Sequence, residues 1–345
     1  MLDDNRALDR VSRSPFEVSS PDGYFYATDH PAMFHWVNRT ILKVLRVEIG
    51  PIPKIDPSKD RDWNLAHGRA APRYPVVILR RANVVALTVG LVFLFFVAHR
   101  ALGGWLWGFV LAAPLVLAPY VGLFVCGYIQ TDAYLAFLIC LCILLWLTFH
   151  YSPDPVGAWH VVAVSVVIGL AQSTKLNGGL LLLAYMTYLV VMGRGIGRLW
   201  RPILAGAVVA AVFFIVNPVM LSRGPFGWVK VIGDMLRIRA ETISGHEASL
   251  GPLSLLNRLH YLFPEWFLLP LFALFVIKAR KERWFLPVAI WASFLIAGTI
   301  ATANQPFNRY RMPLDLGLAT LVTLSAASVI KRLWRHEMTF RDLVT

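Results

Sequence analysis

Two carboxylates stand side by side at Asp3 and Asp4, and a third, Asp22, precedes the aromatic run Tyr24-Phe25-Tyr26. Asp29 and His30 follow, just before Pro31. Far along the chain, Asp132, Lys175 and the triplet Arg309-Tyr310-Arg311 interrupt or border apolar sequence. A carboxylate can take the proton of an attacking hydroxyl, and a positioned base of this kind contributes about 10²–10⁴-fold. Lysine, histidine and arginine can hold a departing phosphate, where charge develops in the transition state. Arginine does so through a planar fork of N–H donors. Such chemistry needs acids and cations in one pocket, so the elements between residues 3 and 311 must bring them together.

Those elements are predicted to be membrane-spanning helices. Of the 345 residues, 57% are hydrophobic and only 15% are charged, with a mean hydropathy of +0.59. A soluble domain is about 25% charged. Continuous apolar runs, long enough to cross roughly 30 Å of hydrocarbon as helices, fall at 82–98, 104–126, 131–149, 159–173, 178–192, 202–219, 263–277, 284–301 and 313–331. Barrel strands would alternate instead. The expected class is therefore all-α and polytopic, with about nine spans. Residues 1–75 form a polar arm, 76–335 the bundle with a long loop at 220–262, and 336–345 a tail. Within the arm, Pro31–Glu48 reads as an amphipathic helix, with Met33, Phe34, Val37, Ile41, Val44 and Leu45 at helical spacing. Such a helix suits a membrane interface. Trp228–Arg239 reads as a second interfacial helix, and Asn38-Arg39-Thr40 fits a weak glycosylation sequon.

The net charge of +13 does not point to nucleic acid, because basic residues collect in the cytoplasmic loops of membrane proteins. Cys126, Cys140 and Cys142 all lie in apolar runs, which indicates neither a disulfide framework nor a zinc site. Arg194, Arg198 and Arg201, then Lys278, Arg280, Lys281 and Arg283, then Lys331, Arg332 and Arg335 fall on one side by alternation. That side, with the C-terminus, is expected to be cytoplasmic. The arm, Asp132, the Lys175 break and Asn304–Pro313 then share the extracytoplasmic side of a plasma (inner) membrane. Residues 1–30 do not read as a cleavable signal, so a span directly before Met1 is expected to carry the arm across.

Four stretches, in order along the chain, resemble the integral-membrane GT-C glycosyltransferases of the dolichyl-phosphate-mannose protein mannosyltransferase group, which includes the aminoarabinose transferases. They are Leu2-Asp3-Asp4-Asn5-Arg6; Asp22–Tyr26 running into Asp29–Phe34; Thr131-Asp132-Ala133 with Gly169–Leu176; and Asn308–Leu314. The second departs from the family pattern where Ala32 replaces a proline. The resemblance implies a GT-C-like bundle that moves a sugar from a polyprenyl-phosphate donor to an acceptor glycan, lipid or protein. It implies an inverting displacement on the extracytoplasmic face, with the family's first helix missing from this sequence. Asp3 would be the general base, with Asp4 beside it and Asp22 as the rival base. His30 and Lys175 would contact the donor phosphate together with Arg309 and Arg311, while Asp29, Asp132 and Tyr310 help bind substrate.

Each of these residues also has a plain structural reading. Asp22 could simply begin an Asp-Gly turn, and Asp29 could cap the helix that follows. His30 could be structural. Asp132 sits where a helix dipole favours an acid, behind Thr131 as a candidate cap. Lys175 could snorkel to the surface, and the two arginines could anchor at the interface. No ligand set demands a cofactor, although a divalent metal near the acids would fit the chemistry. A transporter or flippase would be expected to show internal repeats or midplane polar groups; a degenerate, non-catalytic member would keep the fold alone.

Overall fold

The computed structural model describes residues 8, 11, 32–50, 52–53, 56, 58–69, 72–104, 106–109, 131–175, 178–218, 229, 269–302 and 312–338. Ten helices order these residues: α1 (Met33–Val44), α2 (Arg61–Ala66), α3 (Arg73–Leu102), α4 (Asp132–His150), α5 (Ala158–Thr174), α6 (Gly179–Met192), α7 (Gly197–Val216), α8 (Leu269–Ala279), α9 (Phe285–Thr302) and α10 (Met312–Trp334). No strand occurs among the described residues. Helices α3, α4, α7 and α10 are long and apolar enough to cross a membrane, and α5, α6, α8 and α9 are shorter apolar helices. The chain is a polytopic helical membrane protein. Eight of the nine expected spans are therefore helices; most of the 104–126 run and the whole of the Trp228–Arg239 stretch except Val229 lie outside the described residues.

The helix ends follow local chemistry. α3 starts after Pro72 with Pro75 in its first turn, where a missing N–H costs nothing. It stops at Gly103, which takes φ +72°. Its 30 residues reach roughly 45 Å, longer than a hydrocarbon core. α7 begins a turn and a half earlier than its apolar run, at Gly197, with Pro202 inside it. Arg198 Nε donates to the Gly193 carbonyl at 2.8 Å and holds that early turn. α2 was not anticipated: Asp60 caps it by accepting from the Trp63 N–H at 2.7 Å. Ser58 donates to Asp56 from both N–H and hydroxyl, which holds that carboxyl below the usual range.

α3 packs on α4, α4 on α5, α5 on α7, α6 on α7 and α9, and α10 on α8 and α9. The core holds Trp146, Trp284, Trp291, Tyr185 and Tyr188, each essentially inaccessible. Trp146 meets both tyrosines edge to face. Trp284 stands at a span boundary, where tryptophans often anchor at the membrane interface, yet it is 1% exposed and donates to Ser328 Oγ at 3.3 Å. Trp159 and Trp200 remain exposed. Cys140 and Cys142 are free buried thiols.

The second and third basic clusters meet at one end of the bundle. His150 at the end of α4 bonds the Arg283 carbonyl, Lys331 donates to Leu102 O, and Arg332 donates to Lys278 O. The start of α4 and the end of α5 lie at the other end. There α5 and α6 are joined by a tight turn in which the Gly178 N–H donates to Lys175 O at 2.8 Å. A Cβ on Gly178 would come within 2.4 Å of the Ala171 carbonyl carbon, whereas one on Gly179 would meet nothing closer than 3.8 Å. Gly178→Ala is therefore expected to lower the melting temperature of the detergent-solubilised protein, by about 1–3 kcal/mol of overpacking. Gly179→Ala should stay near wild type; equal melting of the two variants would show that the turn does not need its glycine.

Candidate active site

At the end of the bundle away from the basic clusters, Asp132 opens α4 and Lys175 follows the last residue of α5. Lys175 takes an extended backbone, φ −156° and ψ 136°, which turns the chain out of the helix. Its Nζ donates to Asp132 Oδ1 at 2.7 Å. The side chains are only 17% and 6% exposed. Charged groups in a bundle of this kind are rare unless paired or functional. Pairing lowers the cost of burial but does not make it small, since removing either partner strands the other charge. Thr131 does not cap α4 through its side chain, so the expected capping role falls away.

Polar side chains surround the pair. Thr131, Ser173, Thr174 and Asn217 are all buried. Gln172 Oε1 is buried without a hydrogen-bond partner among the described residues. Asn217, just past the end of α7, donates from Nδ2 to Ser173 Oγ at 3.1 Å and to Phe213 O at 2.7 Å. Its Oδ1 accepts from the Ala32 N–H at 2.6 Å. That one amide ties three parts of the chain together: the arm two residues after His30, the end of α5 two residues before Lys175, and the end of α7. The approach of α5 to α7 depends on Gly169, where a Cβ would lie 2.7 Å from Val212 Cβ.

The arm is held at further points. Trp36 Nε1 donates to Val216 O at 3.1 Å, and Tyr134 donates from its hydroxyl to Asn38 Oδ1 at 2.9 Å. Leu8 and Val11, a few residues past Asp4, are fully buried in a cluster with Phe34, Leu42, Val76, Leu79 and Tyr134. Of the expected apolar face of α1, Phe34 is buried and Val37 and Ile41 pack half-buried against this cluster, while Val44 and Leu45 are exposed; His35, Asn38 and Leu42 are buried as well. Asn38 is wholly buried and hydrogen-bonded, which removes it as a glycosylation acceptor.

Between α1, α3 and α4 runs a groove of about 750 Å³. Met33, Val37, Val85, Val89 and Phe137 make its wall mostly apolar. Tyr134 and Thr174, neighbours of Asp132 and Lys175, line it too. Arg81 is its one charged lining residue and meets no carboxylate within ion-pair distance among the described residues.

Of the residues singled out from the sequence, Asp132 and Lys175 are brought together. Asp3, Asp4, Asp22, Asp29, His30, Arg309, Tyr310 and Arg311 lie outside the described residues, although α1 starts three positions after His30 and α10 one position after Arg311. No group of three or more His, Cys, Asp or Glu poised for a metal occurs among the described residues. Asn38 was noted only as a sequon residue, and Asn217, Tyr134 and Arg81 were missed. Each is a single polar group bordering or inside an apolar stretch, with no spacing that marks it.

No family model and no curated protein matches the sequence. Solved structures do match. ArnT from Cupriavidus metallidurans, crystallised with undecaprenyl phosphate, superposes with a TM-score of 0.56 at 17% identity. The match covers 97% of this chain and 57% of ArnT. The fold is that of the GT-C glycosyltransferases. The Archaeoglobus fulgidus oligosaccharyltransferase AglB gives 0.53 at 12% identity, over 97% of this chain and 46% of AglB, in a complex with an inhibitory peptide and a dolichol-phosphate. The AglB structure tethered to an acceptor peptide gives 0.55 at 12% identity, covering 99% and 46%. The chain thus spans about half the length of these GT-C enzymes.

Lys175→Met leaves the Asp132 carboxylate buried alone and is expected to cost about 3 kcal/mol or more. Pairing it with Asp132→Asn should recover most of that loss in thermal unfolding of the solubilised protein. Additive losses in the double variant would mean that the two groups do not interact.

Proposed function

We propose that the chain is a glycosyltransferase that takes a sugar from a polyprenyl-phosphate donor and passes it to an acceptor hydroxyl. In this reading the acceptor oxygen attacks the anomeric carbon from the face opposite the phosphate. Asp3 removes the hydroxyl proton, the carbon–oxygen bond to phosphate breaks, and the phosphate departs with the electron pair, giving inversion. Asp4 lies beside the base, and Asp22 is the alternative base. His30, Lys175, Arg309 and Arg311 receive the phosphate charge, while Asp29, Asp132 and Tyr310 hold the sugar and orient the cations. The 1–75 arm supplies the acids, the 76–335 bundle supplies the cations and the lipid groove, and 336–345 is a cytoplasmic tail. The site faces the extracytoplasmic side of the plasma membrane, and the acceptor is a glycan, a lipid or a protein.

One observation carries this reading. The buried Lys175–Asp132 pair lies beside an apolar groove whose lining includes Tyr134, Thr174 and Arg81. A lipid phosphate has this same division: a long apolar tail and a compact anionic head. Undecaprenyl phosphate in the ArnT structure and dolichol-phosphate in the AglB complex are ligands of that kind in the same fold. Lys175 would exchange its carboxylate partner for the phosphate, with Arg81 at the lip of the groove as a second contact. The docking of Ala32 on Asn217 supports a site completed by the arm.

The test uses the purified full chain, with undecaprenyl phosphate as the ligand for binding and a glycosylated undecaprenyl phosphate as the donor for transfer. Ala86→Trp, which fills the groove, and Lys175→Met are expected to weaken lipid binding at least about tenfold. Asp3→Asn should bind the lipid normally yet lower sugar transfer about 10²–10⁴-fold. A wild-type chain that neither binds the lipid nor loses transfer on Asp3→Asn would overturn the proposal.

A further inference from the structure

The end of the bundle opposite the Asp132–Lys175 pair carries its own arrangement of charge. Tyr151 follows α4 there, and two guanidiniums lie over its ring. Arg283 Cζ is 4.8 Å from the ring centroid and Arg100 Cζ is 5.5 Å from it. Arg100 comes from the last turn of α3, and Arg283 from the turn between α8 and α9. Three elements far apart in sequence therefore converge on one ring.

The backbone beneath them is fixed. His150 bonds the Arg283 carbonyl through Nε2 at 2.9 Å, while its Nδ1 meets the Tyr188 hydroxyl at 2.8 Å. Lys331 Nζ donates to Leu102 O at 2.7 Å, two residues beyond Arg100. The arginine side chains themselves are exposed. Among the described residues, neither guanidinium meets a carboxylate within ion-pair distance or makes a hydrogen bond. Glu282, whose charge is felt at Tyr151, leaves the cations in excess. Like charges held on one ring repel, and an anion between or beside them removes the repulsion.

The neighbouring surface says what kind of anion fits. Val92 and Phe96 are exposed on α3 at one-turn spacing and lead directly to Arg100. An apolar track that ends at paired guanidiniums matches a chain-bearing phosphate better than a soluble one. Arginine forks engage phosphate oxygens in pairs, and basic pockets between spanning helices hold anionic headgroups. We propose that Arg100, Arg283 and Tyr151 form a binding site for the phosphate of an anionic phospholipid, with its acyl chain along Val92 and Phe96. The site is separate from the proposed transfer site and does not depend on that reading.

The experiment places the full chain in phosphatidylcholine nanodiscs containing a minority of phosphatidylglycerol. Lipid that stays bound after mild extraction is then counted by native mass spectrometry. Wild type is expected to retain phosphatidylglycerol, and Arg100→Gln/Arg283→Gln should cut that retention roughly tenfold. The control Arg280→Gln/Lys281→Gln, in the same basic turn but off the ring, should leave it unchanged. If the glutamine pair does not fold, Arg100→Lys/Arg283→Lys carries the test, with partial loss expected as the fork becomes a point charge. Unchanged retention in whichever pair folds, or equal loss in the control, would overturn the site. A thermal shift by inorganic phosphate as large as that by lipid, lost in the same variants, would overturn the lipid in favour of a soluble phosphate compound.

Discussion

A lysine ammonium and a carboxylate 2.7 Å apart, both largely shut away from solvent, set the constraint on which one end of this bundle depends. Neither charge is tolerable there alone. Their contact fixes the start of α4 against the end of α5. The Gly178 N–H donates back to Lys175 O just before α6, and the close passage of α5 by α7 at Gly169 brings Asn217 alongside Ser173. The arm docks at the same end, through the Ala32 N–H on Asn217. Local geometry and long-range architecture are thus coupled through a handful of polar atoms in an apolar frame.

The spans were legible because hydrocarbon imposes a simple rule. A continuous apolar run either crosses the membrane or must be hidden, and eight of the runs are helices with ends within a few residues of the expected ones, except α3, which starts at Arg73 rather than at 82 because its first turns carry Arg73, Arg80 and Arg81, and α7 and α8. α7 differed because Pro202 reads as a start signal, while the Arg198 side chain sustains a turn before it. α8 starts later than its run because residues 263–268 lie outside the described set. The interfacial helix was visible by its periodicity, but its burial was not. Asn38 faces inward because Tyr134 supplies a partner, and a partner 96 positions away leaves no trace in a local pattern.

The candidate site was legible in part for the same reason. Lys175 stood out because a cation between two short apolar helices demands an explanation. Asp132 stood out as an acid at a helix start. That each is the other's partner follows from tertiary packing, which spacing does not encode. Asn217 and Arg81 look like ordinary boundary residues in the sequence, and only the assembled bundle gives them neighbours. Trp284 is the converse case: an aromatic at a span boundary that the packing of α9 on α10 encloses.

One wall of the apolar groove is made by α1, a helix of the arm rather than of the bundle. Its groove-facing side chains, Met33, Val37, Ile41 and Leu45, take no part in the span-to-span core. Mutational drift at those positions would reshape the bore of the channel while leaving the packing between spans untouched. One short peripheral segment can therefore vary, and with it what the groove admits, while the interior stays still.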